Sequence, residues 1–253
     1  MTIKNLLQLA CLAMILSFSG VARAADGAVL GFMGYSPDSH YFAFEQFGVE
    51  DGSGALYSEI FVLDLGKNSW VGNSPFRVRQ EDATALGPVR AQAMANAAPL
   101  LKQFDISEPV EFLVNNPATE VAADRRHAEF DRYFLSSQQG STEQDDGATS
   151  ETRYSLAVEK SDAAIPSSCP SGDGPFYGFT LKLKSYKTGA TSELYRDKVV
   201  PASRRCPVSY DIAAIVSPMN YPKTERLVAV VGVYSRGFEG TDRRYVAVPF
   251  TLE

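Results

Sequence analysis

Hydrophobic positions along this chain recur with a period of two or in short unbroken runs, and both patterns predict strands. Ala28 to Phe32, Tyr41 to Phe47 and Glu59 to Leu65 are the first three. Between the first two, Ser36-Pro37-Asp38-Ser39 places proline where its fixed φ suits the first central position of a turn and aspartate at the second, so the chain reverses there. Glu50-Asp51-Gly52-Ser53-Gly54 predicts the next loop, and the third run is apolar enough for a central strand. Further strands are expected at Val110 to Val114 and Tyr154 to Val158. A hairpin of Tyr177 to Ser185 with Thr191 to Asp197 follows, then a last pair at Leu227 to Tyr234 and Tyr245 to Phe250.

One segment breaks this pattern. Thr84 to Phe104 carries Ala91, Ala93, Ala95, Ala97 and Ala98 among other good helix formers, with Pro88 suited to a first turn, so a helix is expected from about Pro88. Pro99 removes an interior hydrogen bond and is expected to kink that helix or split it. Asp124 to His127 is polar and expected at the surface, and Ser136 to Ser150 has almost no apolar residue, which predicts a mobile loop. The fold class that results is mainly antiparallel β, its hairpins arranged like propeller blades or like a sandwich, with an Ala-rich helical insertion. It becomes α+β if the helix is counted. Residues 25–253 are expected to form one β-rich domain, with 136–150 as the natural division into two halves.

The N-terminus changes the picture by giving the chain an address. Lys4, a mostly apolar stretch from Leu6 to Phe18 and the small-x-small triplet Ala22-Arg23-Ala24 are expected to form a signal peptide over residues 1–24. The stretch is too short to cross about 30 Å of hydrocarbon, and no later run approaches the length of a membrane-spanning helix, so no stable membrane insertion is expected after cleavage. The destination is periplasmic or extracellular. Loss of Lys4 and Arg23 with the leader takes the net charge from -6 to -8. So acidic a chain is not expected to bind nucleic acid or anionic lipid. Cleavage also leaves Cys169 and Cys206 as the only cysteines, and in an oxidising compartment such a pair is expected to form a disulfide.

Tyr35-Ser36-Pro37-Asp38, followed by Tyr41 to Phe44 and Glu59 to Asp64, resembles the blade motif of TolB-like, WD40-like propellers, with Ser39 in place of the usual glycine. A wider set of segments is similar to a bacterial family of predicted secreted proteins, domain of unknown function 2259. They are Phe44 to Gly54, Tyr57 to Ile60, Arg196 to Pro207, and Gly237 to Gly240 with Asp242-Arg243-Arg244. That resemblance implies export and a shared fold over about Ala28 to Phe250, and it implies no activity.

Candidate chemistry is sparse. His40 and His127 are the only histidines, no nucleophile elbow, zinc helix or phosphate loop is present, and the residues lean away from an enzyme. Carboxylates at Glu45, Glu50, Asp51 and Glu59 are near one another in sequence, and as a pair could hydrolyse an envelope glycan. The loop Glu50 to Gly54 offers oxygen ligands that suit calcium, without the ordered spacing of a dedicated calcium loop; no other metal or cofactor is expected. The favoured class is recognition of an envelope protein or glycan. The first and last hairpins echo one another, so if they are equivalent neighbours their loops share one end of a sheet. Glu50, Asp51, Tyr57, Glu59, Arg236, Phe238, Glu239, Asp242 and Arg243 would then form the binding site.

Overall fold

A computed structural model describes residues 25–131, 153–170, 172, 174–219, 226–238 and 240–252. Among them the chain builds three antiparallel sheets and one α-helix. The first sheet joins β1 (Val29–Tyr35), β2 (Tyr41–Val49) and β3 (Leu56–Asp64), with β4 (Ser69–Trp70) and β5 (Phe76–Gln80) both on the far side of β3. Helix α1 (Leu86–Gln103) follows, then β6 (Val110–Asn115). The second sheet has the order β13 (Thr241–Thr251), β12 (Arg226–Arg236), β11 (Pro207–Pro218), β6. The third has the order β10 (Thr191–Arg196), β9 (Gly178–Ser185), β8 (Arg153–Ser161), β7 (His127–Asp131). None of the sheets closes into a barrel.

The stacking order follows from the strand period. In β12, Leu227, Ala229, Val231 and Val233 pack on the third sheet, whereas Val228 and Val230 pack on the first. Successive side chains point to opposite faces, so an unbroken apolar run belongs to a strand covered on both sides. The second sheet is therefore the middle layer of a three-sheet sandwich. β3 is divided in the same way: Tyr57, Phe61 and Leu63 face the middle sheet, and Leu56 and Ile60 face α1. The helix covers that outer face with Val89, Ala93 and Ala97, spaced four apart on one stripe.

Local chemistry holds the corners. At the first turn the Ser36 hydroxyl donates to Asp38 Oδ1 (2.6 Å), and Ser39 takes a left-handed φ of 53°, the conformation that suits the motif's glycine. Pro99 lies within α1 without splitting it. Pro99 and Ala95, whose carbonyl loses its partner, are both exposed, so water can replace the missing bond. Glu45, buried beneath α1, accepts a two-pronged bond from Arg90 (2.9 and 2.7 Å) and one from Ser58 (2.9 Å). The disulfide Cys169–Cys206 forms with a Cα separation of 5.5 Å, joining the two flanks of the β9–β10 hairpin. The leader and the 136–150 loop lie outside the described residues.

Candidate functional site

A cleft of about 550 Å³ opens between the first sheet, the free side of β13 and the segment after β10. From β2 and β3 it takes Phe44, Gln46, Tyr57, Glu59, Phe61 and Leu63, all on the face opposite α1. β4 and β5 add Trp70, Arg77 and Arg79, and a short 3₁₀ turn, Ala202–Arg204, brings Arg204 and Arg205 from the other wall. The disulfide partner Cys206 is the next residue, so the bridge fixes the segment that carries both arginines.

All five arginines of the lining are bound to carboxylates. Arg77 meets Glu59 at 2.6 Å, Arg79 meets Glu50 at 2.8 Å, and Arg204 and Arg205 meet Asp197 and Asp242 at 2.7 Å each. Arg244 pairs with the buried Asp26 and stacks 4.3 Å from the Tyr57 ring centre. Burial opposes the charged form of Arg244, yet the bond and charge of Asp26 outweigh it and raise its pKa. Tyr57 donates to Asp26 Oδ1 (2.9 Å), and its burial raises the phenol well above the ordinary range. Asp242 is also raised, first by burial and then by the charge of Asp26. The lining is thus close to electrically balanced, and an ion entering it would have to compete with existing pairs. Between the pairs lie aromatic surfaces: Trp70 is 47% exposed, and Tyr195 stands near Arg204, which donates to its hydroxyl at 2.9 Å.

The expected site residues separate into three groups. Glu50, Tyr57 and Glu59 line the cleft, Glu59 accepting from Gln46 (2.6 Å) as well as from Arg77. Asp242 and Arg243 are instead engaged in holding the chain's first described residues. Asp242 accepts from the Asp26 amide (3.3 Å), and Arg243 donates to the Ala28 carbonyl (3.1 Å) while lying over Tyr245. Asp51, Arg236 and Phe238 lie outside the lining; Phe238 is 81% exposed and covers Gly52, so the two loops do meet. They meet because the sheets are stacked, not because the hairpins are neighbours in one sheet. Glu239 is outside the described residues. Gln46, Trp70, Arg77, Tyr195 and Arg204 were not among the expected residues. Strand parity pointed to Gln46, which sits directly across from Glu59 in the β2–β3 register.

The arrangement is poor in reactive groups. His40 and His127 are exposed and bound to Asp38 and Asp124, away from the cleft. Glu45 and Glu59 point to opposite faces of the first sheet, toward α1 and toward the cleft, so they form no catalytic pair. Among the described residues no three or more His, Cys, Asp or Glu side chains are grouped so as to hold a metal, and no helix is long and apolar enough to cross a membrane. No curated protein and no solved structure matches the chain. The model of one family does, over residues 43–251, and on that match the chain belongs to the predicted secreted proteins of domain of unknown function 2259.

Proposed function

We propose that this secreted protein is a binding module that takes its ligand, an envelope protein or glycan, in the cleft between the first and middle sheets. The observation that carries the proposal is the character of the lining: exposed aromatic surface between arginine–carboxylate pairs, with neither histidine nor cysteine among the lining residues. Aromatic and arginine side chains are those enriched where proteins recognise partners, and a volume of about 550 Å³ falls in the range of ligand sites. Hydrolysis by the acidic residues of 45–59 is the weaker alternative, because Glu45 faces away and Glu50 and Glu59 are held by arginines.

Capture from an envelope extract tests this. The mature protein should retain a specific molecule that Trp70→Ala loses by about tenfold or more, as removal of a central aromatic anchor does. Equal retention by Trp70→Ala would move binding away from the cleft. Turnover of an envelope glycan that disappears in Glu59→Gln would establish the hydrolase instead.

A further inference from the structure

Five consecutive residues of β13, Arg244 to Val248, border the cleft. A strand seen on its face offers alternate residues, as β3 does with Tyr57, Glu59, Phe61 and Leu63. Five in a row means that the cleft meets β13 along its backbone edge. β13 is the outer strand of the middle sheet.

The direction of its backbone groups follows from three hydrogen bonds. The Arg243 amide donates to the Asp26 carbonyl (2.8 Å), and the Arg243 carbonyl accepts from Ala28 (3.1 Å), both on the side away from β12. The Tyr245 amide donates to Gln46 Oε1 (2.8 Å) on that same side. The β12–β13 register runs without a shift from Arg226↔Thr251 to Arg236↔Thr241, so alternate residues keep facing outward. Ala247 is next, then Pro249, whose missing N–H costs the ladder nothing because that position faces out. Residues 26–28 cover the edge at Arg243, and Gln46 caps Tyr245. Beyond them the Tyr245 carbonyl and both the N–H and the C=O of Ala247 face the cleft, and among the described residues no protein group meets Ala247 there. The inner face of the first sheet lies on one side, and Tyr195 and Arg204 on the other. The cleft thus occupies the place of a fifth strand in the middle layer.

We infer that the occupant of this cleft is an extended polypeptide segment that adds as an outer strand to β13, pairing with Tyr245 C=O and with Ala247 N–H and C=O. The inference rests on the binding proposal above and specifies its ligand. Main-chain pairing supplies affinity in this mode, and side chains of one parity supply specificity. One parity of the added strand meets Phe61 and Leu63 and should be apolar. The paired arginines leave no excess charge to be matched, so a segment of low net charge fits best.

The test uses the full mature chain, panned against a phage-displayed library of random linear peptides. Selected peptides are then measured by fluorescence anisotropy against wild type, Ala247→Pro and Trp70→Ala. Proline at 247 has the same outward parity as Pro249, so it spares the β12 ladder while removing the donor and blocking the edge. Strand addition predicts that Ala247→Pro weakens binding by about tenfold or more, and that bound peptide slows hydrogen exchange of the Ala247 amide in wild type. The exchange measurement stands even if Ala247→Pro folds poorly. Peptides or oligosaccharides whose binding needs Trp70, but which neither slow that amide nor respond to Ala247→Pro, would overturn strand addition and leave the binding site in place. Failure to find any ligand sensitive to either variant would overturn both.

Discussion

Replacing Arg90 by alanine tests what keeps the helix on the sheet. α1 buries only Val89, Ala93 and Ala97, and at roughly 0.8 kcal/mol per buried methyl or methylene these small side chains contribute about 3 kcal/mol together. Arg90 adds two charge-assisted bonds to Glu45 (2.9 and 2.7 Å) and sits 3.8 Å from the Phe47 ring centre. The Glu45 side chain is 5% exposed and that of Arg90 44%, so the pair is neither a surface pair nor a buried one. Removing one partner costs up to about 1 kcal/mol at the surface and about 3 to 5 kcal/mol when both are buried. Half-exposed Arg90 places Arg90→Ala at about 2 kcal/mol, with Ser58 left as a bonding partner of Glu45. Arg90→Lys keeps the charge but loses the fork and the ring contact, and should fall about halfway. Urea unfolding followed by circular dichroism gives these differences, and hydrogen exchange should show amides of α1 opening faster while those of β12 do not change. An unfolding midpoint for Arg90→Ala equal to that of wild type, with α1 exchange unaltered, would refute the idea that this clasp secures the helix.

Three further outcomes follow from named contacts. A Cβ on Gly232 would lie 2.1 Å from Asp211 Oδ1, and Asp211 is held by the Tyr234 hydroxyl at 2.7 Å; Gly232→Ala should lose about 3 kcal/mol in chemical denaturation, and a fully stable variant would contradict the packing. The disulfide spans a sequence separation of 37, for which chain entropy gives about 4 kcal/mol; replacing both cysteines by serine should lower stability by that order, and equal unfolding curves with and without reductant would count against it. Burial, followed by the bond to Asp211, pushes the Tyr234 phenol up to about 12 from 10.0. Its contribution is therefore intact below the unfolded value and lost as pH rises through the folded one. Near-ultraviolet titration should show its phenolate appearing late, and Tyr234→Phe should flatten the alkaline fall in stability over that range.

Parity along a strand decides most of what could and could not be read from the sequence. Nine strands were legible because turn residues bound them and because apolar content is local, whereas β4, β5, β7 and β11 were not among those expected. β12 even carried its layer in its sequence, since Leu227 to Val233 has no polar side chain to offer either face. The helix was legible for the same reason, although the effect of Pro99 was not, because it depends on Ala95 and Pro99 facing solvent. What no local pattern holds is which strand a face looks at. Asp242 and Arg243 have the composition of a recognition loop, yet their partners Asp26 and Ala28 come from the opposite end of the chain. Likewise the resemblance of the first and last hairpins leaves open whether they pair or stack. Stacking brings Arg244 onto Tyr57, with Arg243 turned toward Ala28. The acidic cluster of 45–59 is divided by the same rule. Gln46 faces Glu59 across the register, so Glu45, one residue earlier, must point to the other side and meet the helix. A single step of parity therefore assigns one glutamate to the cleft and the other to the scaffold, which is why nearness in sequence was no guide to a shared site.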